Sequence, residues 1–293
     1  MIIAISLGAA LLLGLGFVAQ QHAAYREPLE EMLHVRLLLN LMHMPTWLAG
    51  FGLMICGQIL GAVALREADV AEVEPLLAMN LLFALTAAHL VYKEPFGRML
   101  QLGAVLVSGG VALFLFAGRP HGGHLPDPIS SQWLAALPAV LVATALVSLG
   151  LRRSLKIKAM SLAAAAGVLY GVQDVLTRSS LLTLDSGLSL LGQWQPYALP
   201  CVAVVGLLLN QSAFDAAPLQ ISLPATTAVE PITGIVLGAV IFSERLRVSP
   251  EALAGEVAGL VAMVTGTIIL GRSRLLAKPA DRASRRRRGV EER

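Results

Sequence analysis

Nine stretches of this sequence are long and apolar enough to cross a lipid bilayer, at roughly 2–20, 46–65, 70–92, 99–117, 132–151, 159–176, 197–213, 219–242 and 252–270. A spanning helix needs about 20 mostly apolar residues. Hydrocarbon offers the backbone no hydrogen-bond partner, so a stretch that crosses it must be helical. Together the nine take up most of the 293 residues and leave no room for a sizeable soluble domain. The composition agrees, with 56% hydrophobic and 14% charged residues and a mean hydropathy of +0.72, values outside the range of a water-soluble domain. The expected fold is therefore all-α and polytopic. Nothing basic precedes the first stretch and no small-residue cleavage site follows it, so it reads as a retained helix and not a secretory signal. Cys56 and Cys201 fall inside predicted helices, which makes them packing residues and not a disulfide.

The connections carry an uneven charge. Of the 22 Lys and Arg residues, 17 follow the odd-numbered helices and 5 the even-numbered ones, and without the C-terminal tail the bias is still 8 against 5. Positive loops stay on the cytoplasmic side, which places the N-terminus outside and the C-terminus inside. The tail "SRRRRGVEER" is then a basic segment beside anionic lipid, expected to be disordered and not to bind nucleic acid.

Self-comparison reveals a repeat. "ALREADVAEVEPL" (64–76) lines up with "AFDAAPLQISLPA" (213–225), placing Pro75 on Pro224, and each is followed by a helix-closing glutamate, Glu94 in "LVYKEPF" and Glu244 in "VIFSERL". "GLGFVAQQ" (14–21) echoes "GVLYGVQD" (167–174), pairing Phe17 with Tyr170 and Gln20 with Gln173. Helices 1–4 thus match helices 6–9, and the single extra crossing of helix 5 inverts the second unit relative to the first. The division is 1–118 for the first repeat, 119–157 for an outer loop and linker helix, 158–271 for the second repeat and 272–293 for the tail. Inverted repeats are a plan of secondary transporters, which bind substrate near the midplane where the repeats meet.

Glu230 sits at the centre of helix 8, followed by Pro231. An ionised carboxylate there costs at least about 2.5 kcal/mol, so it needs a partner, a water-filled cavity or a proton. Pro231 removes a backbone donor and frees a carbonyl. Together with Pro75 and Pro224 it marks a hinge or broken helix. The other reading is a neutral, hydrogen-bonded glutamic acid that locks helix packing. Counting back from the terminal glutamates puts Asn80 level with Glu230 across the pseudo-twofold axis. Gln58, Gln20 and Gln173 are further candidates to line one cavity, or else interhelical hydrogen-bonding groups. Asp174 lies one turn before Arg178, an i,i+4 ion pair or a gate. Glu67, Asp69, Glu72 and Glu74 make an acidic mouth or a solvated loop, and "HGGH" (121–124) is too flexible to preorganise a metal site. Small-xxx-small pairs at Gly57/Gly61, Gly167/Gly171, Gly234/Gly238 and Gly255/Gly259 suit close helix packing and allow a homodimer. No HExxH, G-x-S-x-G or P-loop is present, so neither an enzyme nor a cofactor is expected.

"TWLAGFGLMICGQILGAVALREADVAEVEPLLAMN...LVYKEPF" and "NQSAFDAAPLQISLPATTAVEPITGIVLGAVIFSERL" resemble the EamA-type repeats of the drug/metabolite transporter superfamily, and the nine-helix layout resembles its NIPA-like magnesium transporter branch. The resemblance implies shared framework positions at Pro75, Glu94, Gln211, Asp215, Pro224 and Glu244. Gln58 stands where that branch commonly has an acidic residue after glycine, and "READ" replaces a small apolar turn, which weakens the magnesium reading. The expectation is a multi-pass secondary transporter of the cytoplasmic membrane, moving a small metabolite or cation by alternating access, with Glu230 as proton carrier if transport is proton-coupled. A magnesium-selective carrier is the alternative in the same class. A non-transporting scaffold or accessory subunit is the alternative outside it.

Overall fold

Ten helices account for the fold in the computed structural model, which describes residues 2–67, 76–93, 97–118, 129–185, 193–241, 247 and 249–272. They are α1 (Ile2–Ala24), α2 (Val35–Leu41), α3 (Pro45–Glu67), α4 (Asn80–Tyr92), α5 (Arg98–Gly118), α6 (Ile129–Leu151), α7 (Leu155–Asp185), α8 (Gln195–Ala216), α9 (Leu219–Ile241) and α10 (Pro250–Gly271). Among the described residues each apolar stretch of the sequence contains one of them, although the third, 70–92, is helical as α4 only from Asn80, after a turn at Ala78 and Met79, and α2 is an addition. Seven are long and apolar enough to cross a membrane, while the apolar parts of α4 and α6, Asn80–Tyr92 and Ala136–Leu151, are shorter. Leu90, Met99, Leu149 and Val240 are each more than 60% exposed. An outer surface of large aliphatic side chains is stable only against lipid, and the chain is a multi-pass membrane protein. Pro75, Glu94, Glu244, Asp69, Glu72, Glu74, "HGGH", the tail and the side chains of Glu67 and Arg178 lie outside the described residues.

Glycine decides which helices touch. In lipid no hydrophobic force draws helices together, so association rests on close backbone approach. On α5 and α10 the approach is reciprocal: a Cβ on Gly110 would lie 2.7 Å from the Gly259 carbonyl, and one on Gly259 would lie 2.7 Å from the Gly110 carbonyl. One helical heptad away, Gly266 faces the Gly103 carbonyl at 2.6 Å, so the two helices run antiparallel. Arg247 N–H donates to the Gly118 carbonyl (3.0 Å) and ties the end of α5 to the approach of α10.

Four further crossings hold α1 and α7 to the helices they pack against. Gly16 meets Gly50 and Met54 of α3, while Gly14 meets the Asn80 carbonyl and the Ala84 N–H of α4. Correspondingly, Gly206 of α8 lies under Leu169 and Tyr170 of α7, and Gly167 meets the Thr226 carbonyl and the Glu230 N–H of α9. Apolar side chains fill in around these contacts, one cluster with Leu81, Val107, Phe114, Phe214 and Met263, the other with Leu162, Val172, Leu176, Ile221 and Leu237.

Between α1 and α3 the chain makes a short 3₁₀ turn (Leu29–Glu31) and then α2, which folds back over the C-terminal end of α8. Leu37 and Leu41 are buried, and Leu33 N–H donates to Ser212 Oγ (3.0 Å). Asn40 Nδ2 donates to both Glu27 Oε2 (3.2 Å) and Glu31 Oε2 (2.5 Å), which holds two carboxylates at one amide. Cys56 and Cys201 are both free and exposed, not packed inside, because each lies on the outward face of its helix.

Candidate functional site

Gly167 and Gly171 bring α7 against α9 at the level of Glu230. A Cβ on Gly171 would sit 2.7 Å from the Glu230 carbonyl and 2.9 Å from Gly234 N. Tyr170 lies between the two glycines, its ring set over Gly206 of α8, and it is within electrostatic reach of Glu230 and beside the Asn210 side chain. On α9, one turn before Glu230, Thr226 Oγ1 lies 3.1 Å from the Ala163 carbonyl and 3.3 Å from Asn210 Oδ1. Its single proton is shared between those acceptors. Glu230 itself is half-buried.

From Asn210 the polar belt continues to the first half of the chain. Gln211 Nε2 donates to Gln20 Oε1 of α1 (2.5 Å), and Gln20 Nε2 points to Met54 Sδ of α3 (3.6 Å). Asn210, Gln211, Gln20 and Asp215 are all at or below 1% exposure. Glu230, Tyr170, Thr226 and Asn210, between α9, α7 and α8, and Gln211 with Gln20, between α8 and α1, are two polar groups that meet only through adjacent residues of α8, together called the belt. Asn210 Nδ2, Gln211 Oε1 and Gln220 Nε2 are buried without a hydrogen-bond partner. Such an atom costs about 1–3 kcal/mol when nothing meets it, so the belt has unused capacity to bind water or a polar solute.

The expected site residues are only partly gathered. Glu230 and Gln20 are in the belt, but Gln58 is exposed on α3, Asp174 is exposed on α7, and Gln173 beside it is half-buried. The glycine crossings also change the register of Asn80. Gly14 and Gly167 occupy equivalent places, so Asn80 matches Thr226 and Ala84 matches Glu230. Counting back from the terminal glutamates was one turn out because the two repeats differ in length between crossing and helix end. Asn80 is half-buried, with its Oδ1 unpartnered.

For Pro224 and Pro231 the expectation of a broken helix is corrected, while Pro75 lies outside the described residues. Helix α9 runs continuously from Leu219 to Ile241 through Pro224 and Pro231. Each proline removes one i→i−4 bond, but the neighbouring bonds and the close contact with α7 keep the helix whole. What Pro231 leaves is a Thr227 carbonyl without its helical donor.

Tyr170, Thr226 and Asn210 were not singled out in the sequence as site residues. Their signal was there in the spacing: Asn210 follows Gly206 by one turn and Thr226 precedes Glu230 by one turn. Among the described residues no three His, Cys, Asp or Glu side chains gather as a metal site.

The chain is 30% identical over 274 residues to an uncharacterized protein of Corynebacterium glutamicum, covering 92% of this chain and 93% of that one. It is 26% identical over 244 residues to "Probable magnesium transporter NIPA6" of Arabidopsis thaliana, covering 77% and 73%. A 67-residue stretch is 36% identical to "Probable 4-amino-4-deoxy-L-arabinose-phosphoundecaprenol flippase subunit ArnE" of Pseudomonas fluorescens, covering 23% and 58%. No family model and no solved structure matches. Fold and kinship together define a multi-pass membrane transporter. The chain belongs to the drug/metabolite transporter superfamily, EamA-type, in its NIPA-like branch.

Proposed function

We propose that this protein is a secondary transporter of the cytoplasmic membrane, with nine spans, N-terminus outside, moving a small polar metabolite or cation by alternating access between two inverted repeats. The observation that supports the reading is the belt, in which a mid-helix carboxylate and unpartnered amide atoms on α7, α8 and α9 adjoin the Gln211–Gln20 bond between the two halves of the chain. Such groups are expensive in a membrane interior and are kept for substrates or ions. The reciprocal Gly110–Gly259 and Gly103–Gly266 contacts support the inverted repeat, since a twofold axis between two repeats brings equivalent positions together in that exchanged way. Matched crossings at Gly14 and Gly167 support it independently.

In this reading Glu230 attracts the cation or carries the coupling proton, and its protonation lowers the cost of the crossing. Asn210, Gln211 and Gln20 orient the polar groups of the solute. A second reading, magnesium selectivity, is favoured by the names of the plant relatives. Magnesium keeps several waters and needs only one or two carboxylates from protein, a requirement that Glu230 among amides meets. Proteoliposome uptake of magnesium ion, in competition with other divalent cations and with a panel of small amines and amino acids, tests both. Inhibition by divalent cations alone supports the magnesium reading, inhibition by organic solutes supports the metabolite reading, and flux insensitive to all of them contradicts both.

A further inference from the structure

A step of 153 residues carries Gln20 onto Gln173, and the same step carries Gly14 onto Gly167, Phe17 onto Tyr170 and Gln58 onto Gln211. The packing keeps that register. Gly57, next to Gln58, lies against Ala9 and Leu13 of α1, and Gly206, five residues before Gln211, lies against Leu169 and Tyr170 of α7. Gln20–Gln211 and Gln173–Gln58 are thus the same pair of positions taken from opposite repeats. They belong to opposite ends of the molecule: Gln58 is level with Ala9, and Gln20 is 11 residues further along α1, about 16 Å at 1.5 Å per residue.

The two pairs are in opposite states. Gln20 and Gln211 are fully buried and hydrogen-bonded, and α1 packs against α8. Gln58 is exposed, Gln173 is half-buried and not bonded to it, and among the described residues α3 and α7 make no comparable packing. Asp174 and Thr177, also on α7, are exposed in the same region. Exposed polar groups in mid-span are costly against hydrocarbon, a cost that a contact between the two glutamines would relieve.

Two inverted repeats alternate access by exchanging conformations. We infer that Gln20–Gln211 and Gln58–Gln173 are the two latches of one rocking movement, the first closed and the second open in this structure. In the opposite state Gln58 bonds Gln173, α1 parts from α8, and the Gln211 and Asn210 amides face water. The inference rests on the alternating-access reading above and names the contacts that would gate it.

The test uses the full chain in membranes with Cys56→Ser and Cys201→Ser, and the pairs Gln20→Cys/Gln211→Cys and Gln58→Cys/Gln173→Cys. A short bifunctional thiol reagent replaces a direct disulfide, because two bonded glutamines sit farther apart than disulfide geometry allows. Intact mass counts the bridges. Each pair alone is expected to bridge, and with all four cysteines present the first bridge is expected to lower the second at least tenfold. Both bridges forming together in one molecule, or Gln58→Cys/Gln173→Cys never bridging, would overturn the latches. A milder variant guards against misfolding: Gln20→Leu removes the inner hydrogen bond at similar volume. It should raise bridging of Gln58→Cys/Gln173→Cys about fivefold, the factor one net hydrogen bond is worth. An unchanged yield in a folded chain counts against the inference. These readouts need no solute, so a failure of the transport reading, seen as absent flux through wild type, remains separate.

Discussion

Two adjacent glycines on α5 should respond to the same substitution with opposite signs. At Gly109 a Cβ meets nothing within 4 Å, whereas at Gly110 it would lie 2.7 Å from the Gly259 carbonyl and 2.8 Å from Met263 N, against the 3.4 Å where ordinary contact begins. Gly109→Ala therefore adds helix propensity and stabilises by about 0.5–1 kcal/mol. Gly110→Ala gains the same propensity but drives the helices apart by about 0.7 Å, a gap that forfeits a quarter to a half of each dispersion contact along the crossing. Overpacking of this kind costs about 1–3 kcal/mol, so the net change is destabilising. Gly259→Ala strains the same crossing from the other side. The double variant should then lose less than the two single losses combined, because the helices have already parted. Denaturant unfolding of the purified protein in bicelles, followed by tryptophan fluorescence, measures all four. Equal stability of Gly109→Ala and Gly110→Ala would refute the claim that this seam is held by backbone contact.

Lys93 closes α4 in the left-handed conformation at φ 56°, so Lys93→Gly should raise stability by about 1 kcal/mol in the same assay. Asn210→Leu strips the acceptor from Thr226 and the polar neighbour from Tyr170 and should cost about 1–3 kcal/mol, while Tyr170→Phe, which leaves fewer groups unmet, should cost about 1 kcal/mol. Gly171→Ala presses on the Glu230 carbonyl and should lower transport more than it lowers stability, read as flux per folded protein.

Much of this fold was legible because hydrocarbon leaves the backbone so few options. Each of the nine apolar stretches contains a helix among the described residues, seven of them long and apolar enough to span, and the outer faces that carry Met99 and Leu149 follow from the same argument. Helix α2 escaped because seven residues give too short a run to stand out by hydropathy. The α10 side of the α5–α10 seam was legible in the Gly255/Gly259 pair, whereas Gly103 and Gly110 of α5 escaped because they recur at seven residues and not at the four-residue spacing sought, although both spacings return to one helix face. Glu230 was legible as a charge out of place, but its surroundings were not. Asn210 and Gln211 sit near a helix end, where polar residues are unremarkable in sequence, and only the packing of α8 against α1 and α7 makes them central. Gln58 lies outside the belt for the converse reason: its neighbour Gly57 takes the α1-facing position, which turns the glutamine outward.

Flux through reconstituted protein bears most directly on the whole account. Liposomes holding a magnesium indicator and a pH-sensitive dye would be loaded with wild type or Glu230→Gln, at matched amounts of folded protein, and challenged with magnesium ion and with the panel of organic cations. The account predicts that at least one of these solutes enters through wild type, and that Glu230→Gln loses at least tenfold of that rate together with its dependence on pH. Equal flux with the same pH dependence through both proteins would contradict it.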